Sequence, residues 1–297
     1  MRNKGPLLAA LSGIFYGTLG WFGISIVDQG MSIPTMVFWR FLFAGIIVLL
    51  FFPFLFNISW KDELKHLSFS FLARLVVALL FGSISTLTYF LAAKSIGTGL
   101  SMAIYFSFPI IVVLLSWFID KERPSYNLFI AIIGMSIGCL FIANLQGQAY
   151  ALKGIALAFT SGVTYGLYIL WNKKMIPHVG SAFMTGLVCL GNAVIVFFIA
   201  CIDNSFSVPQ NPDLFLFLVA MAIFATVLPG VFLLEAIKFT HANLVSILAV
   251  CEPLVTLTIG ILILHEATTT MQLIGAALVL ASALIASYHR KIELPVT

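Results

Sequence analysis

Apolar residues fill runs of roughly 20 positions at a time, the length a helix needs to cross the hydrocarbon core of a membrane. Ten such runs are present: 6–27, 33–56, 67–93, 99–119, 125–143, 153–171, 180–202, 214–237, 242–264 and 270–288. Leu, Ile, Val, Phe and Ala occupy nearly every face of each run, which suits a helix solvated by lipid and not the single apolar stripe of a water-soluble one. The connections are short and leave no room for a soluble domain. The pattern predicts an all-α membrane protein of ten transmembrane helices. The first run follows a basic start, as a signal peptide does, but it is long and lacks an A-x-A cleavage pattern, so it reads as a retained helix.

Composition agrees with that class: 61% of residues are hydrophobic, 9% are charged, and Phe alone occupies 28 of 297 positions. The formal charge of +4 matters less than its distribution, because basic residues favour the cytoplasmic side. With a cytoplasmic N-terminus, Arg2, Lys4, Lys61, Lys65, Arg74, Lys121, Arg123, Lys173, Lys174, Lys238, Arg290 and Lys291 lie at the inner side. Only Arg40, Lys94 and Lys153 lie toward the outer side. Both termini are therefore expected in the cytoplasm, and no nucleic-acid partner is expected. Cys139, Cys189, Cys201 and Cys251 fall within or at the ends of runs without CxxC spacing, so neither a disulfide framework nor a metal site is predicted.

The chain also repeats itself. KGPLLAALSGIFYG at 4–17 matches KGIALAFTSGVTYG at 153–166 at eight of fourteen positions, including Ser12/Ser161, Gly13/Gly162, Tyr16/Tyr165 and Gly17/Gly166. Farther on, an offset of 144 aligns Lys94 with Lys238, Leu100 with Leu244, Pro109 with Pro253 and Glu122 with Glu266. The reading is a five-helix unit used twice, over 1–145 and 146–297. Five is odd, so the second copy enters from the opposite side, giving the inverted repeat that underlies alternating access in many secondary transporters.

Two stretches carry a family resemblance: EPLVTLTIGILILHEATTTMQLIGAALVLASALIAS at 252–287 and FPIIVVLLSWFIDKERPSYNLFIAIIGMSIG at 108–138. Ten spans in two halves, a proline in the fourth helix of each, and a Glu followed by a small-residue helix resemble the drug/metabolite transporter superfamily, in its bacterial EamA branch. Ser282 stands where that family tends to have Gly, and Phe108 stands opposite Glu252. The resemblance implies a permease of the inner membrane that moves small metabolites, with export the implied direction.

The residue that most invites a functional reading is Glu252, about ten residues into its run. An ionised carboxylate at that depth costs about 2.5 to 3.5 kcal/mol on insertion scales. A structural reading has a protonated Glu252 donating to a carbonyl freed by Pro253, which has no N–H of its own. A functional reading has it facing a central cavity, binding a cationic group or titrating during transport. Pro109 and Pro253 would break repeat-related helices at that depth and serve gating. Positions three or four apart share a helix face: Ala249, Glu252, Thr256 and Gly260 form one small polar stripe, matched in the first half by Tyr105, Phe108, Val112 and Ser116. Tyr16, Tyr89, Tyr105, Phe108, Tyr165 and Trp21 would supply aromatic surface for binding, with Thr256 and Glu252 beside them. Tyr168 adds a further hydroxyl. Arg40 either snorkels to outer headgroups, the preferred reading, or lines a vestibule and attracts anionic groups. Asn192 reads as interhelical glue. Glu122 and Glu266 are expected to cap helices or pair with nearby cations.

No G-x-x-x-x-G-K-[ST] motif is present, and His265-Glu266 lacks the second His of H-E-x-x-H. No catalytic residues and no cofactor are predicted. The expectation is a gradient-driven carrier for small amphipathic solutes, amino acids or related amines, with a proton as candidate coupling ion, working as monomer or homodimer. Lipophilic-cation efflux is the alternative, since the same rings offer cation–π contacts. An intramembrane enzyme and an assembly subunit are the more distant ones.

Overall fold

The computed structural model describes residues 4–56, 59–119, 121, 125–142, 152–173, 179–240, 244–245, 248, 251–263 and 269–293. Among these residues every regular element is helical. In chain order they are α1 (Lys4–Tyr16), α2 (Leu19–Val27), α3 (Ile33–Phe56), α4 (Trp60–Leu64), α5 (Phe69–Ile96), α6 (Thr98–Tyr105), α7 (Phe108–Ile119) and α8 (Tyr126–Ile142). The second part of the chain supplies α9 (Leu152–Lys173), α10 (Ser181–Ile202), α11 (Pro212–Ala222), α12 (Leu228–Phe239), α13 (Cys251–Leu262) and α14 (Thr270–Glu293). Seven segments among the described residues are long and apolar enough to cross a membrane, and Tyr126–Phe141 and Leu273–Ser282 are shorter apolar helices. The outward surface carries bare rings such as Phe54, Phe69 and Phe118, each more than 70% exposed. A surface of this kind needs lipid around it.

Among the described residues three of the ten expected runs are interrupted, each for a local reason. In the first, Thr18 Oγ1 donates to the Phe15 carbonyl at 2.7 Å, and the chain turns at residues 17–18 between α1 and α2. In the fourth, Pro109 cannot donate to the Tyr105 carbonyl and its ring would crowd it. The chain turns at residues 106–107, where the Ser107 N–H bonds the Ile104 carbonyl at 3.0 Å. In the eighth, Pro229 likewise has no N–H for the Ala225 carbonyl, and Ile223–Val227 widens into a π-helical turn between α11 and α12. The described part of α13 begins two residues before Pro253.

The main packing pairs are α1 with α12, α5 with α9, α3 with α10, and α8 with α14. Several contacts occur twice, between positions that the two sequence offsets relate. Ser12 Oγ donates to the Pro229 carbonyl at 2.8 Å, and Ser161 Oγ donates to the Ser85 carbonyl at 2.7 Å. A Cβ on Gly17 would meet the Glu252 carbonyl at 2.7 Å, and one on Gly166 would meet the Phe108 carbonyl at 3.3 Å. Gly5 lies against Phe239 and Thr240, and Gly154 lies against Ser95 and Ile96. Small residues at these places let helix backbones approach closely, the usual basis of packing inside a bilayer.

The two ends of the bundle are tied differently. At one end, Ser32 Oγ and Thr35 Oγ1 donate to the Ser205 carbonyl at 2.9 and 2.6 Å. Trp39 Nε1 reaches the Ser207 carbonyl at 2.9 Å. At the other end, Glu235 gathers three elements: Ser181 Oγ donates to it at 2.7 Å, Lys238 sits at 3.2 Å and Lys4 at 3.7 Å. Nearby, Glu63 of α4 accepts the Gly180 N–H at 2.8 Å. Hydrogen bonds to a charged group contribute about 1.5 to 3 kcal/mol, against about 0.2 to 1 kcal/mol for an exposed ion pair. Glu235→Ala should therefore lower the unfolding temperature of the detergent-solubilised protein clearly more than Lys4→Ala does. Equal shifts for the two variants would contradict this ranking.

Candidate functional site

A cavity of about 770 Å³, counting the open space at its mouth, lies among helices of both parts of the chain. One part contributes Tyr16, Leu19, Arg40, Phe41, Gly82, Ser85, Thr86, Tyr89 and Tyr105. The other contributes Tyr165, Tyr168, Thr185, Val188, Cys189, Asn192, Thr226, Gly230 and Glu252. The interrupted spans matter here. Tyr16 ends α1 just before its turn, Tyr105 ends α6 just before its own, and Thr226 sits in the π-helical turn. The breaks that proline and Thr18 impose thus lie beside the space where side chains converge.

Rings form much of the lining. Tyr105 sits 5.5 Å from Tyr89 and 5.3 Å from Tyr165 between ring centroids, and Tyr165 stacks on Tyr168 at 6.0 Å with 14° between planes. The separations are those at which aromatic pairs attract. The hydroxyl of Tyr89 is buried without a hydrogen-bond partner among the described residues.

Two ionisable side chains stand among the rings. Glu252 is 4% exposed and Arg40 is 3% exposed, and both line the cavity. They are not paired with each other, since no nitrogen and oxygen of the two approach within 4.0 Å. The Arg40 guanidinium lies over the Phe41 ring at 4.4 Å, while its Nε and Nη1 have no hydrogen-bond partner among the described residues. The structure thus corrects the expectation that Arg40 snorkels to the headgroups: its neighbours Val37, Phe41 and Ala44 are themselves buried, and the side chain turns inward.

Of the aromatic and polar candidates, Tyr16, Tyr89, Tyr105 and Tyr165 line the cavity with Arg40 and Glu252. Trp21 instead packs on Phe22 and Phe217, with ring centroids at 4.7 and 5.9 Å. Phe108 is wholly buried behind Tyr105 and Tyr165, at 5.3 and 4.9 Å. Thr256 Oγ1 donates to the Gly17 carbonyl at 3.0 Å and to the Glu252 carbonyl at 3.1 Å, so it braces the segment that carries Glu252. Pro109 and Pro253 are buried near the starts of α7 and α13, off the lining. Ala249, Glu122 and Glu266 lie outside the described residues.

Asn192 does hold two helices together, accepting from Ser83 Oγ at 2.8 Å, and it also faces the cavity. Thr185, Cys189 and Thr226 were not legible as lining. Each is one small residue in an apolar helix, and nothing in the pattern says which face meets the interior. Tyr168 offered a signal, since it lies three residues beyond Tyr165 and so on the same face.

The profile of the EamA-like transporter family matches residues 3–144 and again residues 152–288. An uncharacterized inner membrane transporter of Salmonella typhimurium, YicL, is 26% identical over 310 residues, covering 96% of this chain and 95% of that protein. An uncharacterized transporter of Archaeoglobus fulgidus is 24% identical over 286 residues, covering 95% of this chain and 96% of the other. A solved crystal structure superposes with a TM-score of 0.80 at 17% identity, covering 99% of this chain and all of that one, which speaks to the fold alone. With that profile matched over nearly its whole length, the chain belongs to the EamA-like transporter family.

Proposed function

We propose that the chain is a secondary carrier, working as an exporter of small amphipathic metabolites such as amino acids or related amines across the inner membrane. The observation that carries this reading is the central cavity, which joins one carboxylate, one guanidinium and a set of aromatic rings from both parts of the chain. Aromatic faces pack the apolar part of such a solute, and Glu252 meets its amino group. Among the relatives, the Salmonella protein is named an inner membrane transporter.

The working unit is ten spans in two inverted halves, 1–145 and 146–297, with both termini cytoplasmic. The duplicated contacts support it: Ser12 with Pro229 mirrors Ser161 with Ser85, and Gly17 with Glu252 mirrors Gly166 with Phe108. The family profile also matches twice along the chain. Rocking one half against the other would expose the shared cavity to each side in turn.

Topology can be tested by labelling in a cysteine-free background. Gln29→Cys and Asn204→Cys, both at exposed positions, should react with an impermeant maleimide added outside intact cells, and Lys65→Cys should not. Reaction of Lys65→Cys alone would reverse the orientation and remove the cytoplasmic placement of the termini.

A further inference from the structure

We infer that Arg40 is the carboxylate receptor of the cavity, so that the transported solute is a zwitterion held between Arg40 and Glu252. This rests on the carrier reading above and narrows its substrate class.

The cavity holds one guanidinium and one carboxyl group that do not pair with each other. Of the eleven acidic residues in the chain, Glu252 alone lies deep within an apolar run. The rest, among them Asp28, Glu63, Asp203 and Glu235, fall at run ends or in connections. Among the described residues no carboxylate comes within 4.0 Å of the Arg40 guanidinium, Glu252 included.

A buried guanidinium with two nitrogens unpartnered among the described residues is costly to maintain, and such groups in membrane interiors mark solute pathways. Its planar array of donors fits a carboxylate better than any neutral group. The Phe41 ring beneath it, at 4.4 Å, supports the guanidinium without occupying its donors.

The alternatives leave one pole unsatisfied. An amine or lipophilic cation would meet Glu252 and the rings, yet would enter a cavity where Arg40 repels it. A simple organic anion would meet Arg40 and leave Glu252 without a cationic partner. A zwitterion satisfies both, and its apolar side chain can lie on Tyr89, Tyr105 and Tyr165. Cation–π attraction from the same rings does not reverse this ranking, because it acts on the ammonium group of either solute.

The test uses matched trios that share one side chain: an amino acid, the amine lacking its carboxylate, and the acid lacking its amino group. Leucine, methionine and phenylalanine each head a trio, and binding to the purified full-length protein is measured by calorimetry. In at least one trio the amino acid should bind ten-fold or more tighter than both partners. Arg40→Gln should erase the preference over the amine while amine binding persists, and Arg40→Lys, which keeps the charge but loses the planar fork, should fall between. The comparison on the native protein stands even if Arg40→Gln fails to fold. Amines binding as tightly as amino acids wherever binding occurs would overturn this inference and leave the carrier reading in place. Absence of binding in all three trios would overturn both.

Discussion

Glu252→Gln is expected to reduce transport at least ten-fold while the protein still inserts and folds. Glutamine keeps most of the volume and hydrogen-bonding capacity and removes only the charge and the titratable proton. The surroundings of residue 252 do not need that charge for structure. No salt bridge holds the side chain among the described residues, and the contacts that seat this segment run through its backbone carbonyl, which accepts from Thr256 Oγ1 and lies against Gly17. A ten-fold loss corresponds to about 1.4 kcal/mol of interaction with the solute, a modest demand for a charge pair shielded from water. Native transport and an unaltered pH dependence in Glu252→Gln would leave the residue a structural role only.

Gly17→Ala should be among the most damaging small substitutions at the described glycines. A Cβ there would sit 2.5 Å from the Val255 Cβ and 2.7 Å from the Glu252 carbonyl oxygen, closer than real atoms approach. Neither is the far end of a flexible side chain, so relief requires α13 to move as a unit. Overpacking of this kind costs about 1 to 3 kcal/mol, and the backbone contact places the cost at the upper end. Gly166→Ala is the built-in comparison: its nearest neighbours, Ile111 Cγ2 and the Phe108 carbonyl, stand at 3.3 Å and need give only a few tenths of an ångström. Thermal unfolding in detergent should show a fall of several degrees for Gly17→Ala and little change for Gly166→Ala. Equal shifts would mean that α1 does not lie against Glu252 as described. Because the clash falls on the carbonyl of Glu252 itself, Gly17→Ala should also weaken solute binding.

Much of this architecture was legible in the sequence because lipid imposes a simple rule. A spanning helix must be apolar all round, so each run announces its own length, and among the described residues seven of the predicted spans recur as helices of sufficient length. The repeat was legible for a second reason. Glycine and serine at helix crossings are fixed by close approach, and Gly5, Ser12 and Gly17 recur as Gly154, Ser161 and Gly166 in mirrored contacts.

The facing of single residues was less legible. An apolar helix in lipid carries no hydrophobic stripe to mark its interior side, so Trp21, one helical turn beyond Gly17, could be placed at the cavity although it packs on Phe217. The facing of Arg40 is hidden in the sequence for the same reason. Its distance from the run's end permits snorkelling, and only the three-dimensional packing shows that the side chain turns inward. The turn after Tyr105 followed from Pro109. The one after Tyr16 depended on a threonine whose hydroxyl captures a carbonyl, a feature too common to single out from sequence.

We propose that a gradient-driven carrier binds its solute between Glu252 and Arg40. Counterflow in ATP-free proteoliposomes tests it most directly: vesicles preloaded with an unlabelled amino acid should accumulate the same labelled amino acid from outside. The native protein should show accumulation well above empty vesicles, and Glu252→Gln, reconstituted to the same density, should show at least ten-fold less. Accumulation by Glu252→Gln equal to the native protein, or none by the native protein with any amino acid or amine, would contradict the account.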